Sequence, residues 1–184
     1  MFKILLEKIA KELNNNKIPY MIIGGQAVLV YGEPRLTKDI DITLGVGIDK
    51  FKTIVQIIRN LGFKILVENP ETFVKDFMVI PALDEQSSIK IDFIFSFTPY
   101  ETQAINRAKR ITFDNVTINF ATLEDLIVHK TIAGRARDLE DIRTILLKNK
   151  DFDKDYIIKW LNEFDKSLGE NFSGRFMEIL REIK

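Results

Sequence analysis

The stretch from Gly24 to Leu44, GGQAVLVYGEPRLTKDIDITL, restricts this chain more than any other part of it. Its last six residues, Asp39-Ile40-Asp41-Ile42-Thr43-Leu44, alternate polar and aliphatic side chains, the period-two pattern of a β-strand buried on one face. Ile40, Ile42 and Leu44 therefore point into a core, while Asp39, Asp41 and Thr43 leave the opposite face. The arrangement returns in SIKIDFIF, Ser88 to Phe95, where Lys90 and Asp92 share one face and Ile91, Phe93 and Phe95 the other. Aspartate is disfavoured in strands, and like charges packed on one face repel. A single Asp on a wet strand face is ordinary; Asp-Ile-Asp with a matched second strand is not. If the two strands pair in register, Asp39, Asp41 and Asp92 meet on one patch. Something positive must then offset them, and a divalent cation is the obvious candidate.

Ahead of that strand, Gly24-Gly25 divides the apolar run IPYMII (Ile18 to Ile23) from QAVLVYG (Gln26 to Gly32), which reads as a short helix. Glycine there lets the backbone approach a ligand closely and leaves free N–H groups at a helix start, where the dipole favours a phosphate. A tight turn also asks for glycine, so the pair gains specificity only from the twin-Asp strand behind it. A phosphate cradle facing a carboxylate cluster is the layout of phosphoryl or nucleotidyl transfer. In that chemistry two cations about 3.5–4 Å apart activate the attacking oxygen and stabilise the leaving pyrophosphate.

Composition narrows the chemistry further. The chain has no cysteine, which excludes disulfides, Cys-ligated zinc, iron–sulfur clusters and thiol catalysis. His129 is its single histidine, so a multi-His metal site within one chain is excluded too. Any metal must sit mainly on carboxylates and be a hard ion, magnesium or manganese. With 27 basic and 27 acidic residues the net charge is zero, which argues against a polyanionic partner held by bulk charge alone and leaves a local basic patch open. At 184 residues the chain is expected to form one domain, or one domain with an appended subdomain. No stretch approaches the ~18 consecutive apolar residues of a membrane span. The N-terminal MFKILLEKIAKEL reads as an amphipathic helix with Phe2, Leu5, Ile9 and Leu13 on one face. A cytoplasmic protein without membrane partner is expected.

After the Asp strand, Asp49 to Leu61 has helical spacing, with Asp49 as the expected N-cap. Short strands are expected at Phe63–Val67, Phe77–Ile80 and Ser88–Phe95. Thr98-Pro99-Tyr100-Glu101 carries the signals of a capped helix start, and Lys109–Phe113 with Val116–Phe120 reads as a hairpin over Asp114-Asn115. Thr122 to Asp125 opens another helix, to about Ala133, and the pattern stays helical to the end. The expected class is α+β: a short mixed β-sheet flanked by helices, with a C-terminal helical segment. The expected division is a core over 1–121 and a helical segment over 122–184 packed on it, with a cleft between them.

Gly-Gly, a short helix, Asp-x-Asp and a third Asp on a later strand resemble the nucleotidyltransferase superfamily of DNA polymerase beta. The fuller string Gly-Gly-x-Ala, Tyr-Gly, Pro-Arg-x-Thr-x-Asp-Ile-Asp is similar to its small stand-alone branch, which includes abortive-infection toxin-type and antibiotic nucleotidyltransferases. The segment with Lys130, Arg135, Arg137, Asp138 and Asp141 resembles the Lys…Arg…Asp-x-x-Asp segment of that branch. The resemblance implies a nucleotidyltransferase fold and a metal-dependent transfer of a nucleoside monophosphate from an NTP, ATP being the first candidate, with release of pyrophosphate. It implies that Gly24 and Gly25 hold nucleotide phosphates. Asp39 and Asp41 would then bind two metal ions, and Asp92 would complete one site and serve, or assist, the general base.

Other residues divide between site and scaffold. Arg35 and Thr37, just before the Asp strand, and Lys130, on the capped helix, are nucleotide-binding candidates. Each is equally a solvated or locally paired side chain. Asp138 and Asp141 suit a helix N-terminus better than a metal site, His129 an ordinary helix position, and Gln26 a helix start. Tyr31 and Trp160 are expected mainly in the core. The acceptor stays open: a nucleic acid such as tRNA, for which Lys130, Arg135, Arg137 and Arg143 offer a modest basic groove, a protein, or a small molecule. The competing expectation is a non-catalytic nucleotide-binding or regulatory module of a toxin–antitoxin-like system. Oligomeric state leaves no trace in the sequence.

Overall fold

Strand and helix follow the two hydrophobic periods closely. The computed structural model describes residues 2–34 and 36–183. Arg35 falls outside them, and with it the expectation that its guanidinium meets a nucleotide. The first half of the chain forms α1 (Phe2–Asn15), β1 (Tyr20–Ile23), α2 (Gly24–Tyr31), β2 (Asp39–Leu44), a 3₁₀ turn (Ile48–Lys50), α3 (Phe51–Asn60), β3 (Lys64–Ile65) and α4 (Pro70–Phe77). Then come β4 (Val79–Asp84), β5 (Ile89–Phe95), α5 (Pro99–Asn106), β6 (Lys109–Phe113), β7 (Val116–Phe120), α6 (Leu123–Ala133), α7 (Ala136–Lys148), α8 (Lys154–Leu168) and α9 (Phe172–Glu182). This is the α+β class, a mixed sheet with helices and a helical C-terminal region.

Two compact units emerge, Met1–Gln26 with Thr37–Ala121, and Ala27–Leu36 with Thr122–Lys184. The first contains a seven-stranded sheet in the order β3-β4-β5-β2-β1-β7-β6. β2 runs parallel to β5 and antiparallel to β1, and β1 runs parallel to β7. The aliphatic face of the alternating strands is the core face: Ile40, Ile42, Leu44, Ile91, Phe93 and Phe95 are all fully buried. α1 packs along β7 through the stripe Leu5, Leu6, Ile9, Ala10 and Leu13. The Lys8 ammonium donates to the carbonyl of Leu61 (2.7 Å), tying α1 to the end of α3. α5 starts as its residues dictate. Thr98 accepts from the Glu101 backbone, the Glu101 carboxylate accepts from the Thr98 N–H, and Pro99 sits where no N–H is needed.

Three local expectations are corrected. Asp49 is not an N-cap: it lies inside the 3₁₀ turn, and α3 starts at Phe51 behind Lys50 with no side-chain cap. Pro70–Phe77 is a helix not expected from the sequence; it is two turns long and buries only Val74. Phe77 therefore ends α4 instead of opening a strand. Met78 turns the chain with a left-handed backbone, and the strand runs Val79–Asp84. Pro81 lies within β4, against the usual exclusion of proline from paired strands.

In the second unit α6 contacts α7, α8 and α9. Thr122 caps α6 by accepting from the Asp125 N–H (3.1 Å), and Gly134 ends it in the left-handed conformation. Ile142, Ile145, Ile157, Leu161, Phe176 and Ile179 supply its buried apolar side chains. Among the described residues no helix is long and apolar enough to cross a membrane.

Candidate active site

Parallel pairing of β2 with β5 sets Asp39 beside Lys90, Asp41 beside Asp92 and Ile42 beside Phe93. On the other flank of β2, Asp41 pairs with Ile23, the residue before the glycine pair. Register partners project to the same sheet face. Asp39, Asp41, Lys90 and Asp92 therefore share one patch, and β1 delivers the chain to Gly24 at its margin.

Each carboxylate has its own surroundings. Asp39 is exposed, and its Oδ1 accepts a hydrogen bond from the hydroxyl of the buried Thr37 (2.7 Å). Asp92 accepts from the Lys90 ammonium at Oδ2 (2.9 Å), while its Oδ1 is sealed from solvent and has no hydrogen-bond partner. Asp41 lies against Gly24: a Cβ there would sit 1.9 Å from its Oδ2 and 2.9 Å from its Cγ. Gly24 also has φ +62°, a conformation that costs an L-residue about 1–2 kcal/mol. Glycine is thus required there twice over, by the backbone and by the aspartate that fills its missing side chain. Gly24→Ala is expected to cost about 1–2 kcal/mol of stability and to displace Asp41, lowering activity by about a hundredfold. Urea melts beside initial rates on the same preparation check both numbers.

The glycine pair itself begins α2, so the helix opens two residues earlier than the expected Gln26. Gly25 is buried, as is Gln26, which is only 3% exposed and leaves its amide nitrogen without a hydrogen-bond partner. Thr43, on the carboxylate face of β2, has a buried hydroxyl without a partner as well. Unspent buried polar atoms are uncommon in folded proteins, and Thr43 and Asp92 both fall on this one sheet face. Sequence reasoning placed Lys90 on the face but gave it no role, although Lys-x-Asp beside Asp-x-Asp is the signal that a cation belongs there. Among the described residues no three histidine, cysteine or carboxylate side chains are arranged to hold an ion by themselves. Asp39 is turned onto Thr37 and Asp92 onto Lys90.

The remaining sequence candidates lie in the second unit. Lys130 is 4% exposed, with its ammonium 2.9 Å from Asp138 Oδ1 and 2.6 Å from Asp141 Oδ2. Arg135 donates to the other oxygen of Asp138 (2.6 Å). Burial works to raise the pKa of Asp138, but hydrogen bonds from Arg135 and Lys130, with their charges, outweigh it and hold the carboxyl below its ordinary 3.8. Arg143 is paired with Glu182 (2.6 Å), and Arg137 donates to the carbonyl of Leu36 (2.9 Å). The expected basic groove is largely neutralised, because Lys130, Arg135 and Arg143 each hold a carboxylate. Tyr31 is held above the ordinary tyrosine range by burial and then by the charges of Glu124 and Asp125.

No curated protein matches the sequence. Solved structures of similar fold include the antibiotic-resistance factor ANT(2'')-Ia in complex with adenylyl-2''-tobramycin, with TM-score 0.55 and 16% identity over 94% of this chain and 97% of that one. A second is the lincosamide antibiotic adenylyltransferase LnuA, lincomycin-bound, with TM-score 0.52 and 18% identity over 78% of this chain and 92% of that one. A third is an antigenic nucleotidyltransferase-like protein from Paracoccidioides brasiliensis, with TM-score 0.54 and 16% identity over 78% of this chain and 74% of that one. Likeness at such identity establishes a shared fold. The model of a family described as "Nucleotidyltransferase of unknown function (DUF6036)" matches residues 1–175. This chain, with its acidic sheet face beside a left-handed glycine, belongs to that family of nucleotidyltransferases, enzymes that transfer phosphorus-containing groups.

Proposed function

We propose that the protein moves a nucleoside monophosphate from an NTP, ATP before others, to an acceptor hydroxyl or phosphate at the sheet face of Asp39, Asp41 and Asp92, releasing pyrophosphate. The observation that carries this is the pairing of Asp41 with Asp92 on adjacent strands, beside a glycine whose missing side chain Asp41 fills. A fold that sets two carboxylates side by side incurs their repulsion, and a cation-dependent reaction gives that cost a use.

The donor set fits a divalent ion. It is all oxygen, as magnesium and manganese prefer, and Asp92 keeps a solvent-free oxygen without a partner. Magnesium is usually held by one or two carboxylates together with substrate phosphates, so a complete protein cage is not needed in advance. Bound at Asp39, Asp41 and Asp92, two such ions would supply the charge that activates the attacking oxygen and neutralises the leaving pyrophosphate.

The protein's own groups do the rest by position. The Thr37 hydroxyl fixes one oxygen of Asp39 and so orients the other. Backbone N–H groups of Gly24 and Gly25, at the positive end of α2, hold the nucleotide phosphates. Asp92 accepts, or helps to accept, the proton of the attacking hydroxyl. Phosphate contact is assigned to the glycines. Lys130 is engaged in a buried pair with Asp138 and Asp141.

The adenylylated tobramycin of one structural relative puts small molecules on the acceptor panel beside RNA and protein. ATP radiolabelled at the α-phosphate, incubated with cell extract and the purified protein, is expected to yield a labelled species that disappears when EDTA is added. Nucleotide bound yet unchanged, with or without the chelator, would instead support a non-catalytic nucleotide-binding module.

A further inference from the structure

Lys90 stands out among the charges of the acidic face. It is the register partner of Asp39 and precedes Asp92 by two residues on the same face of β5. Its ammonium is 2.9 Å from Asp92 Oδ2, and its side chain is 48% exposed against 20% for Asp92. The two oxygens of Asp92 thus differ sharply: Oδ2 is held by a half-exposed, flexible lysine, and Oδ1 is buried with nothing bonded to it. A carboxylate beside Asp41, in a partly buried setting, needs a positive neighbour at all times. An ammonium and a divalent ion on one carboxylate repel each other, so the hold of Lys90 on Asp92 competes with the ion. Exposed lysine pairs are weak and their long stems move freely, so this cation can leave at small cost.

We propose that Lys90 is the resident counter-cation of the ion-free site. It holds Asp92 until a divalent ion arrives with the triphosphate, then gives up its pairing with that carboxylate. The nucleotide's phosphates supply the extra attraction that displaces it, so ion uptake without nucleotide is kept weak. This rests on the nucleotidyl-transfer reading above, and it assigns Lys90 a positioning role through Asp92 rather than contact with the reacting atoms.

The test is titration of the full chain with Mn2+ alone, followed by loss of the free-ion electron paramagnetic resonance signal, in wild type, Lys90→Met, Lys90→Gln and Lys90→Arg. Lys90→Met and Lys90→Gln are expected to bind Mn2+ more tightly than wild type, by up to about fivefold, the worth of an exposed ion pair. Lys90→Arg should stay near wild type. A gain in affinity cannot come from damaged folding, so two neutral variants guard against one of them being misfolded. Mn2+ affinity unchanged or weakened in both neutral variants would overturn the role of Lys90 while leaving the carboxylate site standing. No Mn2+ uptake by any of the proteins, even with a non-hydrolysable ATP analogue present, would remove the carboxylate site itself and this inference with it.

Discussion

Asp41→Ala is expected to lower nucleotidyl transfer by at least about a thousandfold and to leave the protein about as stable as wild type. The activity loss follows from removing a group that faces developing charge, where single electrostatic contacts are worth about 10²–10³ in rate, together with part of the ion's binding site. The stability effect is small. Asp41 stands directly beside Asp92, and like charges opposite each other across strands cost roughly 0.2–1 kcal/mol. Relief of that repulsion offsets the loss of the side chain's packing on Gly24. Asp39→Ala should behave in the same way, its loss of the Thr37 hydrogen bond being offset by its exposure to solvent. Transfer rates and thermal melts on the same samples check both halves. A purely structural Asp41 would reverse the pattern, with stability falling and transfer largely kept.

Lys130→Met should have the largest effect on stability, about 3–5 kcal/mol, because it leaves Asp138 and Asp141 buried without their ammonium. Both aspartates are nearly solvent-free, at 4% and 5% exposed, and Arg135 remains on Asp138. The pH dependence follows from the depressed pKa of Asp138. A carboxyl whose folded pKa lies below its unfolded value stabilises the fold above the unfolded value of 3.8, and that contribution is lost as pH falls through the lower folded value. Wild type should therefore lose stability on acidification below about pH 4. In Lys130→Met the same protonation relieves unpaired charge, so the gap between the two proteins should narrow in acid. Urea midpoints across the acid range measure this. A gap that stays constant to the lowest pH would mean that the lysine is held by packing rather than by charge.

What the sequence made legible was whatever depends on period and local chemistry. Asp39, Asp41 and Asp92 could be assigned to strand faces because Ile40, Ile42, Ile91 and Phe93 alternate with them and are fully buried. The caps at Thr98 and Thr122 and the hairpin over Asp114-Asn115 were equally readable. The neighbour relation of β2 and β5 was not. Two helices and two strands lie between them in the chain, and nothing local states that Asp41 stands beside Asp92 rather than one residue away. The partner of Lys130 was hidden for a related reason. A lysine on a capped helix reads as solvent-facing until the turn at Gly134 brings Asp138 and Asp141 back onto it. The steric side of Gly24 was hidden as well, since a glycine in a sequence announces conformational freedom but not the carboxylate that occupies its empty side-chain volume.

Everything about the chemistry turns on whether the β2–β5 carboxylates take up a divalent ion together with a triphosphate. Calorimetric titration of the full chain with a non-hydrolysable ATP analogue measures this directly when run in magnesium, in EDTA, and in magnesium with Asp39→Asn or Asp41→Asn. The expected result is saturable binding in magnesium that falls at least about tenfold in EDTA and in either variant. Equal affinity under all of these conditions would contradict the account, because the nucleotide would then be held by groups other than these aspartates.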